Sequence, residues 1–369
     1  MFNNNFFTIA LPITALTILL GVAACGGSSG GGTTSTAYSG PGSKWDISLF
    51  SNNTFSVTHR DTASDPIDMT VTGSYTRQAN GIVKLTVGAA VNGSGGALSS
   101  PANGDVAWAL DVPGYAFMLR PMDAGNDQLI PMVVSGGCPT ANLNGNWVTV
   151  KTNAGTDASN GSRDFFGTFT YNTGTQTGNL PARYSIANPT SNLGANSIGN
   201  GTCTNGIMNI SDGVMYLATN GAIVRTGTNT PADATDDNFI FALGQKSLTT
   251  VANLEGSYAG MLFDDNNASG SKINPVKMVC DNAGACSATQ FDTDLTTELS
   301  GSVALDFSGG TADTPSTGWI TGTITDTGSG NLSCMVDIDA AGTGKKIASC
   351  VGQSPDDNTK LFNVLFVSI

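Results

Sequence analysis

His59 is the only histidine in a chain of 369 residues, and it stands in "FSVTHRDTASD" beside Arg60 and Asp61. An imidazole titrates near neutral pH and can act as a general base, provided a nucleophile and an orienting partner meet it in space. A lone histidine cannot build a multi-histidine metal site. Its alternation with Phe55 and Val57 places it on the apolar face of a strand, so the expectation is a partly buried structural histidine. Carboxylates cluster at Asp233–Asn238, Asp264–Asn267 and Asp292–Glu298. Ca²⁺ takes six to eight oxygens from such loops, but none of the three has the D-x-[DN]-x-[DN]-G spacing. They read as solvated turn residues, and neither a metal nor a cofactor is expected.

Two further patterns fail on context. Gly27-Ser28-Ser29-Gly30-Gly31 matches G-x-S-x-G but sits in a glycine-serine tract without the strand and helix that raise a nucleophile. Gly342-Thr343-Gly344-Lys345-Lys346 is similar to a phosphate-binding loop, yet it lacks the first glycine and the hydroxyl residue after the lysine. It also falls in a hairpin turn. The sequence supports no catalytic residue, and the chain is read as a non-enzyme.

The elements that would position any site are strands. Only Glu255 and Glu298 among the 28 acidic residues are glutamate, and Asp suits turns where Glu suits helices. Hydrophobic residues make up 40% of the chain, enough for a core. Segments such as "TFSVTH", "IDMTVTGSYT", "DFFGTFTYN" and "WITGTITD" alternate with period two, and Asn80-Gly81, Asn205-Gly206, Asp212-Gly213 and Asn220-Gly221 punctuate them. With a net charge of -13 and only 15 Lys and Arg, the chain is a poor match for nucleic-acid phosphates.

One scheme recurs three times: a glycine and an aromatic residue, alternating strands, then a hairpin with an Asp/Asn-rich turn. "ANLNGNWVTV" and "ANLEGSYAGM" align on A-N-L-x-G-x-aromatic, and "YSGPGSKWDISLF" fits with one extra residue. The expected fold is all-β: three tandem modules at residues 38–137, 141–248 and 252–369, each an up-and-down barrel or a sandwich. The short Leu248–Val251 connection suits packing of the second module on the third. Trp45, Trp147 and Tyr258 are expected to anchor the three first strands in their cores.

Residues 6–24 are an apolar run that ends in Val22-Ala23-Ala24-Cys25 and is followed by "GGSSGGGTTST". The tetrad resembles the lipobox of bacterial lipoproteins. The resemblance implies a signal peptide at residues 1–24, diacylglyceryl and acyl groups on Cys25, and a tether at residues 25–37. Gly26 after the cysteine implies sorting to the outer membrane. "MFNNNFFT" carries no Lys or Arg, and the alternative for the run is an uncleaved transmembrane anchor. With Cys25 acylated, six cysteines remain, which in an exported chain suggests three disulfides. Cys280 and Cys286 flank a short turn, Cys334 and Cys350 face each other in a hairpin, and Cys138 and Cys203 pair by elimination.

Gly145-Asn146-Trp147 resembles the Gly-x-Trp of the lipocalin first strand, with Tyr258 in place of Trp and Trp45 displaced in the other modules. That resemblance implies a barrel able to hold a small apolar ligand. The function expected is therefore a non-enzymatic envelope lipoprotein, held to the membrane through Cys25, whose modules bind a protein or build structure. The alternatives are a lipocalin-like carrier of a small apolar ligand and a secreted or surface adhesin.

Overall fold

The computed structural model describes residues 34–40, 44–60, 65–92, 101–120, 129–151, 165–210, 213–219, 221–227, 238–244, 247–264, 273–292, 296–299, 302–314 and 316–369. The first barrel opens with β1 (Ser35–Gly40), β2 (Lys44–Phe50), β3 (Thr54–Arg60) and β4 (Met69–Arg77). It continues with β5 (Val83–Asn92), β6 (Val106–Val112), β7 (Ala116–Arg120) and β8 (Ile130–Val134). Each strand pairs with the next, and β1 closes on β8 through Tyr38–Val134 and Ser39–Val133. The alternation read from the sequence is the cause: in β3, Phe55, Val57 and His59 are buried while Ser56 and Thr58 are not.

The second module contains β9 (Leu143–Lys151), β10 (Phe165–Asn172), β11 (Thr177–Ser185), β12 (Asn196–Asn200) and β13 (Cys203–Thr204). It is completed by β14 (Ile207–Ile210), β15 (Gly213–Leu217), β16 (Ala222–Gly227) and β17 (Asn238–Leu243). These nine strands form one curled sheet in which β9 pairs with both β10 and β17. Its edge strands, β12 and β13, are consecutive in the chain and are separated only by Gly201 and Thr202. The bend between them sets Gly201 against β14: a Cβ there would lie 2.2 Å from the Asn209 carbonyl oxygen. Asn205 and Gly206, both at positive φ, make the tight turn into β14 that their types predict.

The third module begins with the 3₁₀ turn Val251–Leu254 and runs through β18 (Gly256–Asp264), β19 (Ile273–Cys280), β20 (Ala285–Gln290) and β21 (Val303–Asp306). It ends with β22 (Trp319–Thr325), β23 (Ser329–Asp337), β24 (Ile347–Gln353) and β25 (Leu361–Ser368). This is again a closed barrel, with β18 paired to β25 from Tyr258–Ser368 to Asp264–Phe362. The structure is thus all-β in three tandem modules, and the strands follow one another up and down rather than forming sandwiches.

Each module has its own interior cluster. Ile47, Phe55, Leu85 and Phe117 fill the first, Phe169, Leu180, Met215 and Ile223 the second, and Leu262, Met278, Ile320 and Phe366 the third. A fourth cluster lies between the modules and joins Trp108, Leu110 and Val112 to Tyr216, Val224 and Phe241 and to Met261, Trp319 and Leu365. The packing therefore includes the first module and is not confined to the second and third. Adjacent residues of one strand serve different cores: in β25, Val364 and Phe366 face the barrel interior while Leu365 and Val367 face the other modules. At about 1.5–3 kcal/mol per fully buried large apolar side chain, the shared cluster welds the modules into one body. Polar groups reinforce it. Trp319 Nε1 donates to the Gly167 carbonyl at 3.1 Å, and Asn363 Nδ2 donates to the Thr149 carbonyl at 2.9 Å.

Candidate functional site

The third barrel holds a cavity of about 180 Å³ at the end where β18, β20, β22 and β24 finish and β19, β21, β23 and β25 begin. Strand alternation builds it. The inward row of β18 runs Tyr258, Leu262, Asp264; that of β22 runs Ile320, Ile324 and continues to Asp326 just past the strand's end. The floor is apolar, formed by Leu262, Val276, Leu305, Ile324, Phe362 and Phe366. Toward the mouth the inward positions turn polar, with Gln290, Ser354 and three carboxylates, Asp264, Asp326 and Asp356. Among the described residues, no lysine or arginine lines it. Gly352 is what admits the Phe362 ring, because a Cβ there would lie 2.2 Å from its Cζ.

The opposite end is plugged. Leu254 of the 3₁₀ turn is buried, and the Tyr258 hydroxyl donates to its carbonyl at 2.6 Å. Burial pushes the Tyr258 phenol up to about 12. Two disulfides, Cys280–Cys286 and Cys334–Cys350, cross adjacent strands and contribute sulfur to the interior. The third, Cys138–Cys203, ties the segment after β8 to β13.

The remaining candidates are placed as follows. Cys25 and the G-x-S-x-G pattern lie outside the described residues, as does most of the Asp233–Asn238 cluster. His59 is 2% exposed, its ring lies 4.6 Å from that of Trp45, and Nδ1 is 2.7 Å from Asp68 Oδ1. Closed in this way, it is a structural member of the first core and out of reach of a substrate. Lys345 and Lys346 donate to the carbonyls of Ser368 and Glu255, which commits their ammonium groups to the backbone. Among the described residues, no three His, Cys, Asp or Glu converge in a metal-binding group.

The aromatic anchors need one correction. Trp147 on β9 and Tyr258 on β18 stand on the first strands of their modules and are buried in the interior clusters. Trp45 is buried too, but on the second strand, β2; the first-strand aromatic of module one is Tyr38. The physical reason is that Tyr38 sits where β1 meets β8, its hydroxyl donating to Asp111 Oδ1 at 2.6 Å. Asp111 also pairs with Arg77, and burial beside this carboxylate raises the Tyr38 phenol far above its ordinary value. Asp111 gave itself away only as an acid at an inward position of an apolar strand, "VAWALDV", a signal the module scheme did not use.

No protein-family model matches the chain, and no curated protein matches it. Among solved structures it is similar to transferrin-binding protein B from Haemophilus parasuis, with 8% identity and a TM-score of 0.28 over 91% of this chain and 65% of that one. It therefore spans about two thirds of that protein's length. Transferrin-binding protein B from serogroup B Neisseria meningitidis gives 8% identity and a TM-score of 0.25 over 91% and 74%. A protein of unknown function from Nostoc punctiforme gives 9% and 0.21 over 92% and 96%. At such identities and scores neither an activity nor a partner follows from the likeness.

Proposed function

We propose that the chain is a non-enzymatic lipoprotein of the bacterial cell envelope, exported on residues 1–24, acylated at Cys25 and held at the outer membrane on the tether of residues 25–37. The three modules, at residues 38–137, 141–248 and 252–369, then act together as one binding or structural body. The observation that carries this reading is the shared core. Trp108, Tyr216 and Trp319 belong to one buried cluster, which suits a rigid platform presenting its strand-end loops rather than three independent beads. Intact mass of membrane-extracted protein tests the anchor. Loss of residues 1–24 with acyl mass on Cys25 is expected; an unmodified Cys25 with the leader attached overturns it.

A second reading, a carrier of a small apolar ligand, is favoured by the cavity of the third barrel. Native mass spectrometry of the protein from its own host tests it. A bound small molecule that is lost when Leu305→Trp fills the floor supports the carrier; a protein partner alone supports the platform.

A further inference from the structure

The seam between the modules holds two buried polar atoms that its apolar packing does not explain. Tyr115, in the tight turn between β6 and β7, is fully buried. Its backbone is pinned on both sides: its N–H donates to the Val112 carbonyl at 2.9 Å, and its carbonyl accepts from the Val134 N–H at 3.0 Å. Its ring belongs to the cluster between the modules, together with Met335, Ala340 and Ile347 of the third. Those residues flank Asp337. Ile347 is its partner across β23 and β24, and Met335, two positions earlier, lies on the same face of β23. Asp337 is 1% exposed. Its Oδ1 accepts from the Ser247 hydroxyl at 2.6 Å and from the Asp339 N–H at 3.1 Å. Ser247 is held in turn, accepting from the Ile338 N–H at 2.7 Å, so Asp337 already ties the connector after module two to module three. Its other oxygen, Oδ2, and the Tyr115 hydroxyl are both buried, and among the described residues neither has a hydrogen-bond partner. The two groups feel each other, because the Asp337 charge adds to burial in pushing the Tyr115 phenol well above its ordinary value. Leaving such a group unpaired costs a factor of roughly 5 to 150 in the folding equilibrium. A phenol can donate and a carboxylate oxygen can only accept, so one molecule that accepts from the first and donates to the second satisfies both. Water does this, and waters buried in proteins bridge polar groups of this kind. A metal ion does not suit the place: among the described residues, no three His, Cys, Asp or Glu converge there.

We infer that one water molecule is bound at the junction of the three modules, accepting from the Tyr115 hydroxyl and donating to Asp337 Oδ2. With Ser247 it makes a single polar chain that joins module one, the connector after module two, and module three. The inference rests on the reading of the three modules as one platform, and it names a point at which module one is held in a fixed place.

The test uses the membrane-extracted full chain. Tyr115→Phe keeps the ring and deletes only the hydroxyl. Removing an unpaired buried hydroxyl would leave stability unchanged or raise it, whereas removing a bridged one lowers it. The expected loss in the folding equilibrium, read by urea unfolding, is about tenfold or more. It should shrink to about threefold or less where Asp337→Ala has already removed the acceptor. Magnetic resonance of the tyrosine-labelled chain needs no second variant. It should show a slowly exchanging hydroxyl proton, absent from Tyr115→Phe, with a cross-relaxation peak to water. A nitroxide pair at Thr54→Cys and Thr325→Cys reads the platform separately, as one narrow distance between modules one and three. If that distance is narrow but Tyr115→Phe is neutral or stabilising, or the hydroxyl proton shows no contact with water, the bound water is overturned and the platform stands. If the distance is broad with Tyr115 in place, both are overturned.

Discussion

Replacing Trp319 by alanine asks whether the three modules are one body or three tethered ones. The indole is fully buried although it lies on the outside of the third barrel, because it packs on module two: its ring is 4.7 Å from that of Phe166, and Nε1 donates to the Gly167 carbonyl. Deleting a buried Trp costs about 3–5 kcal/mol, and the stranded carbonyl is part of that loss. For the roughly 330 residues from Thr34 to Ile369, unfolding entropy near 2.1 cal/mol/K per residue gives about 0.7 kcal/mol/K, so the midpoint should fall by about 4–7 °C. Trp319→Phe keeps most of the ring and loses the hydrogen bond, for about 1–2 kcal/mol. Urea unfolding with disulfides intact, followed by fluorescence and far-ultraviolet circular dichroism together, measures both. Were the modules merely tethered, Trp319 would be a surface residue and its removal would change stability by less than about 0.5 kcal/mol. A Trp319→Ala loss below 1 kcal/mol therefore refutes the shared core.

Gly352→Ala should destabilise by about 1–3 kcal/mol through its clash with the Phe362 ring, and Phe362→Leu in the same chain should recover much of it, a coupling read from a double-mutant cycle. Alkaline pH should unfold the protein. Tyr258 is raised from 10.0 to about 12, so the neutral phenol is favoured in the fold; its contribution is complete below pH 10 and is lost as pH rises from 10 through 12. Tyrosinate absorbance should lag free tyrosine over that range and rise with unfolding, and a titration at the free-tyrosine pH in folded protein would contradict it. The disulfides should rank by loop length. Cys138→Ser with Cys203→Ser, across 65 residues, should cost about 4 kcal/mol, and Cys280→Ser with Cys286→Ser, across 6, about 2 kcal/mol, by denaturant midpoints.

Local chemistry was legible in the linear chain. Period-two alternation in "TFSVTH", the Asn205-Gly206 turn, the scarcity of glutamate and the repeated A-N-L-x-G-x-aromatic opening each act within a few residues, and each predicts strands in three modules. The same information located the cysteines that lie across a hairpin. What it could not decide is where the second face of each strand goes. In "LFNVLFVS" both faces are apolar, and nothing local says that Phe362, Val364 and Phe366 line a barrel while Leu365 and Val367 bury themselves against other modules. Trp45 stood out as a large aromatic beside glycines, yet the closing position belongs to Tyr38, because closure is a contact between β1 and β8, almost a hundred residues apart. The cavity depends on the same kind of contact. Asp264 and Asp326 look like turn residues one at a time; they share a rim only because β18 reaches across the chain to β25, and ring closure turns separate inward rows into one lined space.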